Sequence, residues 1–319
     1  MPTSRLEHLP VSLFSVVMGL GGLSLAWRRA ARVWDVPEWI SEVVFAVALA
    51  VFVLVAGLYA AKWIRHTAAA RAELRHPVRM AFVPTITISL LLLATAGQDL
   101  LPGAAAAAWW AGAVGHLVLT VLVLSAWFGR PDITLSQVTP AWFIPIVGNV
   151  ITPLAAASLG SADLAWFSFG VGVVFWLGLL PLLLHRVLLH EVPLPQKMLP
   201  TLAIFIAPPA VVMLSWQALT GAVADPLGRI LYAAAMMFTV LLLAQFARLR
   251  TIPFAVPYWA YSFPLAAAAT AAIAMAEATP APVYDVVALA LLAFVTVVVA
   301  VVGTLTLRAV ARREICVPE

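Results

Sequence analysis

The sequence predicts an all-α integral membrane fold. Ten transmembrane helices form five helical-hairpin repeats, with kinked inner helices around a central pore and straight outer helices. Three observations predict it. The chain is 64% hydrophobic and only 10% charged, with a mean hydropathy of +1.05. A soluble domain carries about 25% charged residues, so this chain lacks the polar groups to cover a water-exposed globule. Apolar runs of about 20 residues, each enough to cross ~30 Å of hydrocarbon, recur from one end to the other. Interior proline falls on alternate runs.

In chain order, span 1 covers residues 10–27. No positively charged segment followed by a small-residue cleavage site precedes it, so it is read as a retained span and not a signal peptide. Gly19, Gly21 and Gly22 stand where the other odd spans carry proline. Span 2 is 39–63, and span 3 is 78–97 with Pro84. Span 4 is 104–128 and holds His116, the one deep titratable group, which is expected to make a structural hydrogen bond. Span 5 is 140–159 with Pro145 and Pro153; span 6 is 163–188, with Pro181 only near its end. Span 7 is 199–217 with Pro208 and Pro209, and span 8 is 226–249. Span 9 is 254–276 with Pro264, and span 10 is 283–308, whose stretch "VVALALLAFVTVVVAVVGTLTL" (286–307) carries no charge. The connections are short, so residues 1–319 form a single transmembrane domain.

Lys and Arg in the loops set orientation. Fourteen of the 18 basic residues fall on the side that ten spans assign to both termini, and four, Arg28, Arg29, Arg32 and Arg229, fall on the other. Both termini are therefore expected in the cytoplasm. Glu277, Asp285, Asp163 and Asp99 sit at external span ends, where solvated caps are expected.

The steps from Pro84 to Pro145 to Pro208 to Pro264 are 61, 63 and 56 residues, which makes each repeat one breakable and one regular helix. Proline removes a helical donor. Irregular backbone at membrane depth is tolerated only where it is buried in protein or lines a watery cavity. The five breakable helices are thus expected around a shared axis. Small and hydroxyl residues on them fit that place: Thr85, Thr87 and Ser89; Gly148, Asn149 and Thr152; Ala267, Ala268, Ala269 and Thr270. Small residues also let helices pack closely without any pore; the alternation across five repeats favours the pore. Candidate pore-lining and kink residues are Gly19, Pro84, Thr87, Pro145, Asn149, Pro208 and Pro264. Asn149 has two readings, a donor to an anion or a partner for carbonyls freed by Pro145 and Pro153, and the second is favoured. Phe263 stands out as one bulky ring beside a proline, followed by a run of Ala and Thr.

Other classes are poorly supported. A single cysteine, Cys316, excludes a disulfide framework and a cysteine metal cluster. No P-loop, paired carboxylates, HExxH or usable Ser-His-Asp set is present, so neither an enzyme nor a cofactor is expected. The basic residues lie between spans and do not form a nucleic-acid surface. No Asp, Glu, Lys or Arg lies clearly at mid-depth, where ionisable residues usually mark a transport relay.

The whole chain resembles the tellurite-resistance/C4-dicarboxylate transporter family, which includes the plant slow-type anion channels. The stretches that carry the resemblance are "LPVSLFSVVMGLGGLSLAW" (9–27), "HPVRMAFVPTITIS" (76–89), "TPAWFIPIVGNVITPLAAAS" (139–158), "LPTLAIFIAPPAVVMLSW" (199–216) and "PYWAYSFPLAAAATAA" (257–272). The resemblance implies a homotrimer in a bacterial plasma (inner) membrane, with a pore in each protomer. It implies inner-helix prolines at Pro145, Pro208 and Pro264, and a pore-closing phenylalanine at Phe263, within Trp259-Ala260-Tyr261-Ser262-Phe263. The chain departs from the family at Val17-Met18-Gly19, where many relatives carry proline, and in the register of Pro84. It has little length outside the spans for the regulatory termini of the plant members.

Three functions compete. One is an anion-selective channel passing small monovalent anions such as chloride and nitrate, gated by the phenylalanine. Another is a carrier or exporter for C4-dicarboxylate, tellurite or sulfite, and the third is a membrane scaffold. The lack of a charged site in the pore favours the channel, with anion preference from helix N-terminal dipoles and from positive charge at the cytoplasmic mouth.

Overall fold

A computed structural model of the protein describes residues 5–317. Residues 1–4 and 318–319, the ends of the single domain expected over 1–319, lie outside these. Among the described residues the regular structure is helical throughout. Ten helices among the described residues are long and apolar enough to cross a membrane. Numbered as spans 1 to 10, they are Val11–Trp34, Trp39–Arg65, Arg79–Gly97, Pro102–Phe128, Pro140–Leu159, Ala162–Leu188, Gln196–Thr220, Pro226–Ala244, Val256–Ala278 and Pro282–Ala311. The Arg5 guanidinium donates to the Arg313 carbonyl at 2.6 Å, so the two ends of the described chain meet on one face.

The odd spans close a ring. Span 1 packs on span 3, span 3 on 5, span 5 on 7, span 7 on 9, and span 9 back on 1. Each even span lies outside, against its own hairpin partner and the next inner span. Burial follows the same division. The odd spans are 67–89% buried over their most apolar stretch and the even spans 22–33%, so the even spans carry the surface that faces lipid.

The inner helices differ from the expected kinked α-helices. Each begins as a 3₁₀ helix on the termini side and changes to α-helix on the way across. The 3₁₀ segments are Val11–Leu13, Arg79–Phe82, Pro140–Phe143 with Gly148–Ala155, Gln196–Ile206, and Val256–Tyr261. Runs beyond three or four residues are uncommon, and here prolines impose them by withholding α-helical donors. Pro84 caps the α-helix of span 3, Pro208 and Pro209 open that of span 7, and Pro264 lies in the first turn of Ser262–Ala278. Three of the even spans, 4, 8 and 10, put proline at the first turn, where no donor is required: Pro102, Pro226 and Pro282.

The changeover frees carbonyls, and side chains bond them. Ser15 donates to Ser12 O at 2.6 Å, Thr85 to Phe82 O at 2.5 Å, Thr201 to Met198 O at 2.6 Å and Ser262 to Trp259 O at 2.6 Å. In span 5 the Asn149 amide donates to Ile146 O at 2.9 Å, and the outer span helps: Thr120 donates to Pro145 O at 2.6 Å and Trp109 Nε1 to Thr152 O at 3.0 Å. Much of the hydroxyl content of the inner spans therefore serves the backbone.

Several boundaries move. Span 1 runs on through Arg28, Arg29 and Arg32 to Trp34, and span 8 stops at Ala244, followed by a separate turn Phe246–Leu249. Between spans 2 and 3 a helix, Thr67–Arg75, stands where a loop was expected. It buries Glu73, which accepts from Lys62 Nζ at 2.9 Å, the Tyr59 hydroxyl at 3.1 Å and the Val11 amide at 2.8 Å; Lys62 also donates to Leu9 O at 2.7 Å. This buried cluster ties the start of span 1 to the end of span 2.

Candidate functional site

The ring of inner spans encloses two cavities that meet near mid-depth. The one towards the termini has a volume of about 70 Å³ and takes lining residues from all five inner spans. No charged side chain lines it, and its hydroxyls are those of Ser12, Ser15 and Thr85. The one on the far side is wider, about 440 Å³, and polar: Arg28, Arg29, Arg32, Gln98, Gln217 and Glu277 face it. Phe263 and Val211 line both cavities. They form the partition between an apolar throat and a charged vestibule.

Local structure explains why the ring of Phe263 stands there. It is the second residue of the α-helix Ser262–Ala278, at the point where the 3₁₀ segment Val256–Tyr261 ends. The Ala run that follows, Ala266 to Ala269, packs against neighbouring helices with almost no exposure, whereas Phe263 is half-buried. Gly22 of span 1 completes the seat. A Cβ at Gly22 would lie 3.1 Å from Phe263 Cδ2 and 3.2 Å from Ala266 Cβ, so a glycine is what lets the phenyl edge lie against span 1.

The other candidates separate into two groups. Pro208 and Pro264 line the throat with Phe263. Gly19, Pro84, Thr87, Pro145 and Asn149 line neither cavity. Gly19 is pressed against Ser262 and Trp259 of span 9, where any side chain would collide; Gly22, one turn on, is the glycine at the lumen. Thr87 and Asn149 point outward to span 4. The Thr87 hydroxyl donates to Pro84 O at 2.9 Å, so His116 Nδ1–H donates to Thr87 Oγ1 at 2.8 Å. His116 is fully buried and makes the structural hydrogen bond expected of it. Asn149 Nδ2 also donates to Thr120 Oγ1 at 2.8 Å, and its amide serves the freed backbone, not an anion. Both sit on the back of the inner ring because sequence position alone does not fix which way a helix is rotated.

The arginines of the vestibule escaped the sequence reading, which ended span 1 one residue before them. On a longer helix Arg28, Arg29 and Arg32 hang over the lumen. Arg28 donates to the terminal carbonyls of span 3, Thr95 O at 2.9 Å and Ala96 O at 3.0 Å, and pairs with Asp99. Arg29 donates to Gln217 Oε1 at 2.8 Å and Glu277 Oε2 at 2.7 Å. The Ser158 hydroxyl donates to Gln98 Oε1. These contacts lace all five inner spans together around the far mouth. Asp99, Glu277 and Asp163 are exposed, as expected of external carboxylates, with Asp99 and Glu277 also paired to Arg28 and Arg29; Asp285 is half-buried and accepts from Trp34 Nε1 at 3.0 Å.

The protein-family model described as voltage-dependent anion channel matches residues 8–307. Among curated proteins, the chain is 27% identical to the S-type anion channel SLAH3 of Arabidopsis thaliana, over 97% of this chain and 50% of that one. It is 28% identical to a tellurite resistance protein TehA homologue of Haemophilus influenzae, over 82% of this chain and 79% of that one. It is 26% identical to the guard cell S-type anion channel SLAC1 of Arabidopsis thaliana, over 83% and 49%. The chain thus spans about half the length of these plant relatives and most of the bacterial one.

Proposed function

The chain belongs to the voltage-dependent anion channel family, and from that premise we propose that it is an anion-selective channel for small monovalent anions, chloride and nitrate among them, gated by Phe263. The family consists of anion channels and transporters, not enzymes. The observation that carries the gate is that one large ring lines both cavities of a lumen ringed by five helices. A phenyl ring in a narrow apolar throat excludes water, and a hydrated anion has nothing there to replace its shell. Anion preference draws on the α-helical N-termini that face the throat and on the vestibule arginines. We further propose a homotrimer in a bacterial inner membrane with both termini cytoplasmic. The bias of 14 basic residues against four supports that orientation.

The test is Phe263→Ala in reconstituted membranes. A gate, once truncated, lets anion current rise well above wild type while expression and oligomer yield hold, and Phe263→Leu falls between. A ring that merely fills a core leaves a cavity costing ~3–5 kcal/mol, with lower yield and no gain in current. Well-folded Phe263→Ala protein that conducts at the wild-type level removes the gate.

Permeability through the open variant is expected to follow dehydration cost, because the throat is apolar and carries no fixed charge. Bi-ionic potentials should rank nitrate and iodide at least level with chloride and exclude cations. The alternative, a carrier for C4-dicarboxylate, tellurite or sulfite, draws support from the vestibule arginines and from the likeness to the tellurite resistance protein. Saturation at low dicarboxylate with nitrate excluded would establish it.

A further inference from the structure

Glu277 is the only carboxylate lining either cavity among the described residues, and it is bonded to Arg29. Its side chain is 53% exposed against 18% for Arg29, so the carboxylate is reached by water and the guanidinium faces the vestibule. Arg28 is otherwise engaged, on two span 3 carbonyls and Asp99. Arg32 differs. It is exposed, lines the same cavity one helical turn beyond Arg29, and makes no hydrogen bond or ion pair among the described residues. Residues three apart on a helix lie about 5–6 Å from each other at Cβ. The two guanidiniums therefore flank one position that an anion arriving from the far side meets before it reaches Phe263.

We propose that this position is a binding site for one small anion, chloride or nitrate, between Arg29 and Arg32, and that Glu277 is a tethered anion that competes for it. The pair is open to water on its carboxylate side, and a pair so reached by water contributes little, so a free anion at moderate concentration displaces the carboxylate from Arg29, and the carboxylate returns when the anion moves on. Gln217 holds Arg29 in place through the exchange, because its Oε1 accepts from the other terminal nitrogen of the guanidinium. The vestibule thereby presents an available positive charge to an entering anion without leaving Arg29 unpaired between ions. For the ion's passage onward this inference rests on the channel reading; the binding itself does not.

The test has two arms. Line broadening of the chloride NMR signal by purified protein reports bound chloride whether or not the channel conducts. Glu277→Gln removes the competitor while keeping a hydrogen-bond acceptor for Arg29, and should tighten apparent chloride binding by about two- to fivefold, the range that follows when a pair of this kind is lost. Arg32→Gln, at a side chain that bonds to nothing among the described residues, should weaken it by a similar factor, and nitrate should compete in both. In vesicles, Glu277→Gln on the Phe263→Ala background should lower the half-saturating chloride concentration on the far side only. Equal broadening for wild type, Glu277→Gln and Arg32→Gln overturns the site, as does weaker binding in Glu277→Gln, which would mark Glu277 as a brace between spans 1 and 9. Retained broadening shifts with no flux in any variant overturn the channel reading and leave the site standing.

Discussion

At the scale of the residue, the lumen is decided by side-chain volume. Phe263 is large where its surroundings are small, and Gly22 is the smallest of them. If the ring acts through bulk alone, a side chain of like size from the neighbouring helix should replace it. A Cβ at Gly22 points directly at the Phe263 ring edge and at Ala266. Gly22→Leu on the Phe263→Ala background should therefore fill the vacated space and bring the anion current back towards the wild-type level. The single Gly22→Leu change should overpack the same space and cost ~1–3 kcal/mol, read as a lower thermal midpoint. Current through the double variant that matches Phe263→Ala alone would mean that the phenyl closes the path by something other than occupancy.

At the scale of the element, the inner spans trade α-helical hydrogen bonds for 3₁₀ geometry, and the polar groups this exposes are met one by one. The Lys62–Glu73 cluster does the same work at the termini-side mouth, where Val11 begins the 3₁₀ turn of span 1 and its amide needs an acceptor. Both charged side chains are nearly inaccessible, 4% and 5% exposed. Removing one partner of such a pair leaves a buried charge alone and costs about 3–5 kcal/mol, whereas replacing both with apolar groups of similar size is often close to neutral. Glu73→Gln should thus lower the thermal midpoint clearly, and Lys62→Met with Glu73→Leu should recover most of the loss, less what the Val11 amide forfeits. A single variant as stable as wild type would show that the Thr67–Arg75 helix is held by its apolar contacts and not by this pair.

At the scale of the whole molecule, the closed ring of odd spans and the adjacent chain ends require an even number of crossings, and the loop charge bias predicts which face is which. Cysteine scanning on a Cys316→Ser background checks it with an impermeant thiol reagent added from outside intact cells. Leu101→Cys and Pro280→Cys lie at exposed positions on the far face and should react; Ala72→Cys, exposed on the Thr67–Arg75 helix, should not. The reverse pattern would place the termini outside, and the vestibule arginines would then face the cytoplasm.

Composition and periodicity by themselves determined the class, the number of spans, and the division into inner and outer helices. The membrane makes those features legible: hydrocarbon demands apolar runs of fixed length and confines broken backbone to protected positions, so proline on alternate runs reads directly as an inner ring. The position of Phe263 was legible from its motif and from the small residues after it. Three things belonged to the tertiary structure. Helix rotation turned Thr87 and Asn149 towards span 4, because a span buried on every side carries no polar stripe to reveal its facing. The continuation of span 1 past residue 27 made Arg28, Arg29 and Arg32 part of the vestibule, since their partners, the span 3 carbonyls, Asp99, Gln217 and Glu277, come from 67 to 248 residues along the chain. Val211 shares the partition with Phe263 although nothing local distinguishes it from other valines; only the closure of the ring brings spans 7 and 9 together there.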